Sequence, residues 1–380
     1  MRRTIFITGA TGNIGGKIVC EILRTDPSAK MVLLVRGKSK TEAHDRLVAT
    51  IRKLSPDNYG IDFDERIEVA CGDITRPNLG LNEQQIRNFE SGITHIIHAA
   101  AETKFDQSYE TAYTTNIQGT VNITAFAQRL YEHGCLKQFA YISTAFVCGR
   151  NVKLVFEDQM PKKPQFSNNY ERSKWEAEQY VKSLIPQLPI VIFRPSIVIG
   201  DSTTGRLVNF NVLYTPLRFI CQGNLPVIPC NSTTALDIVP VDYVAAAICH
   251  IMFKTSNADG RIYHITAGND NQPTIGEIVT QAVEYINNTN GSVSVKRPRY
   301  VRNSVFNTIS RFLPRKLKKI MNILKVFEPY VVISRRFDCT NTFAALAGSG
   351  IYPPKPSQYL GNVLGCWLNS TRTIKTRKAA

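Results

Sequence analysis

The 380-residue sequence has no long uninterrupted apolar run, no Cys-x-x-Cys pair and no low-complexity segment. Its longest apolar region, residues 184–200, is broken by three prolines, a glutamine and an arginine, so it is too polar for a membrane span of about 20 apolar residues. Nine scattered cysteines and six histidines show no metal-ligand spacing, which predicts no metal site and favours a reducing compartment. Because Met1 runs almost directly into an apolar strand, we find no room for a signal peptide and expect a cytoplasmic protein.

Acidic residues are missing from one segment. Between Lys296 and Lys325 there are ten Lys and Arg and no Asp or Glu. The end of the chain adds four more cations, and together these account for most of the net charge of +16. A localised basic patch of this kind indicates an anionic partner. No nucleic-acid-binding module accompanies the charge, so we expect no nucleic acid partner.

Short apolar runs alternate with amphipathic helical patterns up to about residue 200, which predicts an α/β fold with a doubly wound, Rossmann-type parallel sheet. The predicted strands are Thr4–Thr8, Met31–Val35, Ile67–Ala70, His95–Ala99, Gln138–Ser143 and Ile190–Phe193. We assign residues 1–200, with a returning segment near 235–255, to this domain. Residues 201–380 are assigned mainly to a smaller substrate-binding region with a basic helical segment at 296–326. The helices predicted after residue 200 are Val241–Phe253, Ile275–Ile286, Asn303–Phe312 and, started by Pro314, Arg315–Val326.

A glycine-rich turn follows the first strand. Glycines at 9, 12 and 15 stand between a predicted strand and a predicted helix. In such a turn the first glycine permits the tight bend, the second lets the backbone approach a pyrophosphate, and the third allows close packing of helix on strand. The helix N-terminus then faces the phosphates. The turn therefore predicts a dinucleotide site, contacted by Gly9, Thr11, Gly12, Asn13, Ile14 and Gly15.

Residues at the ends of the next strands indicate which nicotinamide cofactor is bound. Arg36 ends the second strand where a carboxylate would favour NAD, and a cation there favours the 2′-phosphate of NADP. Arg46 could make a second phosphate contact. Asp73, followed by Ile74, is placed to accept a hydrogen bond from the adenine amino group. The small side chains of Ala99, Ala100 and Ala101 would let the cofactor lie against the backbone. NADPH is the predicted cofactor.

Two residues four apart carry the candidate chemistry. Tyr170 and Lys174 lie on one face of a predicted helix, where an adjacent ammonium is expected to lower the pKa of the phenol. Such a tyrosine can give a proton to a carbonyl oxygen as hydride arrives, or remove one in the reverse direction. Thr144, at the end of the fifth strand, can hydrogen-bond the same oxygen and orient it.

With these motifs in their order, the chain resembles an extended short-chain dehydrogenase/reductase. The resemblance implies a catalytic triad of Thr144, Tyr170 and Lys174, with Lys174 also on the nicotinamide ribose. It further implies that Pro195, Ser196 and Ile197 flank the nicotinamide. Asn116 would help to maintain a proton relay or only brace the backbone.

The finer resemblance is to thioester reductases, namely the reductase domains of carboxylic acid reductases and peptide synthetases and the related fatty acyl-CoA reductases. It is carried by segments such as Gly72–Leu81, Ser143–Val147, Ser173–Glu178 and Phe193–Gly205. It implies reduction of an acyl thioester to an aldehyde, with a second reduction to the alcohol left open. The chain carries no adenylation or carrier domain, so the acyl group would arrive on an acyl-carrier protein or on coenzyme A.

Several alternatives stay open at this stage. An epimerase, dehydratase or hydroxysteroid-type dehydrogenase acting on a sugar nucleotide or alcohol would share the triad, and a non-catalytic NADP-binding regulator would share the fold. The apolar positions within the basic segment could form a docking face, a lid over an acyl chain, a membrane-surface anchor or simply core. They are Val305, Phe306, Ile309, Phe312, Leu317, Ile320, Met321 and Leu324.

Overall fold

A computed structural model of the chain describes residues 2–56, 63–210, 213–256, 258–289, 294–302, 306 and 314–379, without the side chains of 64, 316 and 371–379. The strands of its main sheet are β1 (Thr4–Thr8), β2 (Lys30–Val35), β3 (Ile67–Cys71), β4 (His95–His98), β5 (Gln138–Ile142), β6 (Ile190–Pro195) and β7 (Ile262–Ile265). The α-helices of eight or more residues are Asn13–Thr25, Lys40–Leu54, Glu83–Glu90, Gly119–Glu132, Asn169–Ser183, Tyr214–Cys221, Val241–Lys254, Ile275–Thr289, Arg315–Leu324 and Pro356–Ala379. Shorter α-helices span Phe63–Arg66, Tyr109–Ala112, Glu328–Val332 and Thr340–Leu346.

The seven strands form one parallel sheet in the order β3-β2-β1-β4-β5-β6-β7. The chain runs outward from β1 to β3 and then crosses to β4 on the other side of β1. This reversal leaves a crevice at the carboxyl ends of β1 and β4, which is where open α/β sheets bind ligands. The predicted fold class is confirmed.

Side chains alternate between the two faces of the sheet, as strands buried on both sides require. In β1, Ile5 and Ile7 pack against the helices Asn13–Thr25, Lys40–Leu54 and Val241–Lys254. Phe6 between them packs on the opposite face with Ile86, Phe126 and Ala177 from three other helices. Helices therefore cover both faces.

A second hydrophobic core belongs to the region after Gly200. It joins the helices Tyr214–Cys221, Ile275–Thr289, Arg315–Leu324 and Pro356–Ala379. Three short parallel strand pairs belong to the same part of the molecule, namely Ile197–Ile199 with Ile238–Pro240, Val227–Ile228 with Arg299–Tyr300, and Leu154–Val155 with Arg336–Phe337. Ile197–Ile199 directly follows β6, so this region is attached where the sheet presents its carboxyl ends.

The six predicted strands are all present, with ends that differ by at most two residues. The seventh strand, β7, was missed because it lies beyond the alternating part of the sequence, although Asp259 and Gly260 form a turn directly before it. The segment that returns to the sheet therefore includes Ile262–Ile265 as well as the helix Val241–Lys254. Most of the predicted helix Asn303–Phe312 lies outside the described residues. The next helix begins at Arg315, directly after Pro314, and ends at Leu324, where a 3-10 turn takes over.

No helix among the described residues is long and apolar enough to cross a membrane. Within the same residues, no group of three or more His, Cys, Asp or Glu side chains is placed to hold a metal ion.

Candidate active site

A cavity of about 690 Å³ lies at the carboxyl ends of β1 and β4. It collects most of the residues singled out from the sequence, although they come from eight separate segments of the chain. The predicted residues that line it are Gly9, Thr11, Gly12, Asn13, Ile14, Gly15, Arg36, Arg46, Asp73, Ile74, Ala99, Ala100, Ala101, Thr144, Tyr170, Pro195, Ser196 and Ile197. Lys174 and Asn116 lie beside the site and make other contacts, described below.

The glycine turn is shaped as a backbone cradle. Gly9 has φ of +76°, and a Cβ there would lie 2.6 Å from the backbone of Ala99 and Ala100. At Gly15 a Cβ would lie 2.3 Å from the Gly9 carbonyl oxygen. Only glycine fits either position, because real Cβ contacts are never so short. The backbone at the helix N-terminus is thus left open toward the cavity, as a bound pyrophosphate requires.

The two arginines and the aspartate lie at the β2–β3 side of the cavity. Arg46 donates a hydrogen bond from its guanidinium to the Arg36 carbonyl oxygen, which brings both cations to the end of β2. One carboxylate oxygen of Asp73 accepts hydrogen bonds from the backbone and hydroxyl of Thr75, both at 2.9 Å. The turn therefore fixes the Asp73 side chain at the cavity wall.

Thr144 and Tyr170 lie side by side on the β5 side of the cavity. Thr144 comes two residues after β5 and caps the 3-10 turn Ala145–Cys148, where its hydroxyl accepts from the Phe146 backbone at 3.3 Å, while Tyr170 lies in the first turn of the helix Asn169–Ser183. Burial raises the pKa of Tyr170 to about 12, and the neighbouring Thr144 hydroxyl opposes that rise only partly. The expectation that Lys174 lowers the pKa of this phenol is wrong for this structure, since the tyrosine is desolvated and Lys174 contacts other groups.

Lys174 is directed at β5. Its ammonium donates hydrogen bonds to the Tyr141 hydroxyl at 2.9 Å and to the Ile142 carbonyl oxygen at 2.8 Å. Burial lowers the pKa of Lys174 to about 7, although the carboxylate of Glu178 acts in the opposite direction. Tyr170 and Lys174, four residues apart in the helix, therefore have different surroundings. Tyr170 faces the cavity, and Lys174 lies under it.

Asn116 braces the loop that follows β4. It lies in a π-helical segment, Tyr113–Gln118, between two α-helical stretches; such segments often occur at functional sites. Its amide group donates to the Glu102 carbonyl oxygen at 3.0 Å and to the Ser173 hydroxyl at 2.9 Å, while its oxygen accepts from the Glu102 backbone at 2.8 Å. These contacts tie the cavity-lining loop to the helix of Tyr170.

An aromatic group beside Tyr170 was not predicted. Phe105 stacks on Tyr330 with ring centroids 5.0 Å apart and an interplanar angle of 10°, and lies 5.9 Å from the ring of Tyr170. Phe146 meets the Tyr330 ring edge-on at 5.1 Å. No pattern in the sequence pointed to Tyr330, which lies 160 positions after Tyr170 in the chain. Phe146 does lie within the Ser143–Val147 motif.

A buried ion pair supports the strand ends under the site and was also not predicted. Arg194 in β6 and Glu178 are 2.5 Å apart, and both side chains are fully buried. Burial opposes ionisation of Glu178, but the Arg194 guanidinium holds the pKa of that carboxyl below its usual range. Glu178 also accepts a hydrogen bond from the Ser143 hydroxyl at 2.5 Å, so the position next to Thr144 is fixed.

The described part of the basic segment turns its apolar side inward. Phe306 and Ile320 are buried, and Leu317, Met321 and Leu324 pack against the second core. Lys319 and Lys325 are exposed. Among the four roles left open, the described residues fit core or cavity lining. Val305, Ile309 and Phe312 lie outside them.

Several known proteins with a similar sequence are reductases by name, and others are peptide synthetases. Aldehyde reductase lnaA of Aspergillus flavus is 30% identical across 70% of this chain and 26% of its own length. A probable fatty acyl-CoA reductase of Arabidopsis thaliana is 23% identical across 90% of this chain and 88% of its own. The chain thus spans about a quarter of lnaA, and about a third of the next relative, the nonribosomal peptide synthetase asaC of the same fungus.

Solved structures give the same grouping. The terminal R domain of the myxalamid PKS-NRPS pathway superposes with a TM-score of 0.78 at 26% identity, over 97% of this chain and 90% of that one. A UDP-glucuronic acid 4-epimerase from Bacillus cereus shares the fold, with a TM-score of 0.64 at 18% identity over 98% of this chain and 99% of that one.

The family model described as male sterility protein matches residues 7–248, which include the glycine cradle, Thr144, Tyr170 and both strands of the crevice. This match covers more than half of the chain and confirms the resemblance drawn from the sequence motifs. The chain belongs to the male sterility protein family.

Proposed function

We propose that this protein reduces acyl thioesters to aldehydes with NADPH. The observation that carries the proposal is that Thr144 and Tyr170 face the same cavity as the glycine cradle. A proton donor and a dinucleotide cradle in one cavity are what carbonyl reduction needs. The names of the relatives, an aldehyde reductase and a fatty acyl-CoA reductase, support an acyl group as the substrate.

The residues present fit a nicotinamide dinucleotide. A Cβ at Gly9 or Gly15 would collide with the backbone of the turn or of the residues after β4, so the cradle can form only with glycine at these positions. Pro195, Ser196 and Ile197 line the same cavity as Tyr170. Arg36 and Arg46 would hold the 2′-phosphate of NADP, since a guanidinium binds phosphate through paired hydrogen bonds. When bound, the reduced cofactor supplies the hydride.

Tyr170 supplies the proton in this scheme. With a pKa raised to about 12 its hydroxyl is neutral at pH 7, so it holds the proton that the carbonyl oxygen takes up as hydride reaches the carbonyl carbon. Thr144 hydrogen-bonds and orients the same oxygen. The resulting hemithioacetal then breaks its carbon–sulfur bond, giving an aldehyde and a free thiol.

The thiol carrier is either coenzyme A or the prosthetic group of an acyl-carrier protein. Coenzyme A carries negatively charged phosphates, and acyl-carrier proteins are usually acidic. Lys319 and Lys325, in the region after Gly200, are exposed and could attract either carrier. A carrier protein is favoured by the similarity to synthetase reductase domains.

The test measures NADPH oxidation with acyl-CoA and acyl-carrier substrates while the aldehyde is trapped. We expect turnover that falls at least 100-fold in Tyr170→Phe, within the range typical of general acid catalysis. Tyr113→Phe is the matched control, because Tyr113 is 43% exposed and should retain full activity. Failure to turn over any thioester, with turnover of a sugar nucleotide instead, would assign the chain to the epimerase-like alternative.

A further inference from the structure

A second cavity, of about 440 Å³, lies in the region after Gly200. Its walls come from the second core and from the segment 315–332, and they are largely aliphatic. Representative apolar lining residues are Leu217, Ile220, Ile278, Val279, Phe306 and Met321, and Lys318, Asn322, Lys325 and Glu328 also line it. A cavity of this size is large enough for a small organic ligand, and its aliphatic walls favour a hydrocarbon group.

The second cavity shares a wall with the active site. Ile197 and Tyr330 line both cavities. Ile197 follows the strand that carries the predicted nicotinamide contacts, and the Tyr330 ring is stacked on Phe105, itself beside Tyr170. An extended ligand with its reactive end at Tyr170 would therefore reach the apolar cavity by passing Tyr330.

The Tyr330 side chain is held by polar contacts on the active-site side. Its hydroxyl donates to the Glu171 carboxylate and accepts from the Asn168 amide at 2.9 Å. Glu171 directly follows Tyr170 in the chain, and its side chain is buried. The ring is consequently fixed by its hydroxyl to the helix of the proton donor, while its faces remain apolar.

We propose that the apolar cavity binds the hydrocarbon chain of the acyl substrate and that Tyr330 is the specificity-determining residue between this chain and Tyr170. The proposal rests on the proposed function, since it names the substrate class of the same site: a thioester of a linear, unbranched fatty acid. A peptide or aminoacyl group would place polar amides against the aliphatic walls formed by the helices Tyr214–Cys221 and Ile275–Thr289, where they would lack partners, which is unfavourable.

A chain-length series tests this assignment. Acyl-CoA substrates from acetyl to hexadecanoyl should show kcat/KM rising about fourfold per added methylene, which is about 0.8 kcal/mol for each buried CH₂. The rise should stop once the cavity is filled. Equal kcat/KM across the series would overturn the proposal.

Two tryptophan variants of one helix localise the effect. Met321 lines the cavity, whereas Ile323, two positions further on, is 50% exposed. Met321→Trp should lower the ratio of dodecanoyl to butanoyl kcat/KM at least tenfold, and Ile323→Trp should leave that ratio unchanged. An equal effect of both variants would contradict the location.

Tyr330 is tested by two substitutions. Tyr330→Ala opens the shared wall and should lower the same long-to-short ratio at least tenfold. Tyr330→Phe keeps the ring and should restore the ratio to within threefold of the wild type. If both variants kept the wild-type ratio, Tyr330 would not determine specificity.

A binding measurement separates this inference from the proposed function. Dodecanoate is titrated calorimetrically into the full-length wild type, Met321→Trp and Ile323→Trp, with circular dichroism as the folding control. Binding that only Met321→Trp abolishes would support the cavity even if no thioester were reduced, in which case the proposed function alone would fail. Absence of dodecanoate binding together with thioester turnover would overturn the cavity assignment alone.

Discussion

We propose that Arg36 carries the distinction between NADP and NAD. Its guanidinium is exposed at the end of β2 and lines the cofactor cavity beside Arg46. We expect Arg36→Ala to raise the KM for NADPH about tenfold, since a hydrogen bond to a charged group contributes about 1.5–3 kcal/mol, while the KM for NADH changes less than twofold. Steady-state kinetics with each cofactor provides the measurement.

The control for this prediction is Arg87→Ala, which removes an exposed guanidinium from the helix Glu83–Glu90, on the side of the sheet away from the cavity. It should leave both KM values unchanged. A parallel rise for NADPH and NADH in Arg36→Ala would mean that Arg36 contacts the part common to both cofactors.

The burial of Lys174 lowers the free energy of unfolding by an amount that depends on pH. Burial lowers its pKa from the usual value of 10.5 to about 7 in the folded protein, so between these values the unfolded chain binds more protons than the folded one. Stability from this group therefore rises with pH across that window and is lowest below pH 7. Lys174→Met should be more stable than the wild type at pH 6, and this advantage should shrink toward pH 10.

Urea denaturation of both proteins at several pH values measures this difference. Lys182→Met is the control on the same helix, because Lys182 is less buried than Lys174, although burial lowers its pKa as well. A stability difference for Lys174→Met that does not vary with pH would show that Lys174 has an ordinary pKa.

At the scale of elements, the helix Asn169–Ser183 serves the site through one of its faces. Tyr170 points into the cavity, Lys174 reaches β5, and Glu178 pairs with Arg194 in β6. The four-residue spacing of these three side chains follows the helical period, so their placement on one helix could be predicted from the sequence. Their separate partners could not, since each lies on a different strand or loop.

The buried pair of Glu178 and Arg194 makes a prediction for this helix. Glu178→Gln leaves the Arg194 charge buried with no carboxylate, which typically costs about 3–5 kcal/mol. Urea denaturation should show a loss of this size. Glu284→Gln is the control, because its pair with Arg297 is more than half exposed and should contribute less than about 1 kcal/mol.

Equal losses in the two variants would mean that the buried pair is no more important than a surface one. A large loss for Glu178→Gln alone would show that the position beside Thr144 depends on this pair, since the Ser143 hydroxyl bonds the same carboxylate.

The sequence predicted the sheet and the cofactor end of the site better than the substrate end. Alternating strands and helices, the glycine turn and Arg36 are local patterns, and each lies where its pattern indicated. Tyr330 and Phe105 meet only through the tertiary fold, and the strand Ile262–Ile265 depends on pairing with β6. The direction of Lys174 was missed for the same reason, because it is decided by Tyr141 and the end of β5.

At the scale of the whole molecule, the two hydrophobic cores are joined around the active site. Val198 packs against both of them, and Gly205 lies so close to the C-terminal helix that a Cβ there would be 2.2 Å from the Asn362 carbonyl oxygen. Asn362 in turn donates a hydrogen bond to the Ser202 carbonyl oxygen at 2.9 Å. These contacts hold the C-terminal helix against the segment that follows Ile197–Ile199, beside the strand ends.

The net charge of +16 should favour association with an acidic carrier protein. Attraction between opposite charges raises association rates and is weakened by salt. We expect kcat/KM for an acyl-carrier substrate to fall about tenfold between 20 and 300 mM NaCl, with little change for an uncharged acyl-pantetheine. Steady-state assays with the two substrates across the salt series measure this contrast.

Two charge reversals show whether the exposed cations of the substrate region are responsible. Lys319→Glu and Lys30→Glu change the net charge equally, but Lys319 lies on the helix Arg315–Leu324 and Lys30 begins β2, at the opposite edge of the sheet from the cavity. Only Lys319→Glu should reduce kcat/KM for the acyl-carrier substrate and its salt dependence, because association depends most on charges near the contact. Equal reductions in both variants would instead indicate that net charge alone attracts the carrier, and the helix would then have no part in docking.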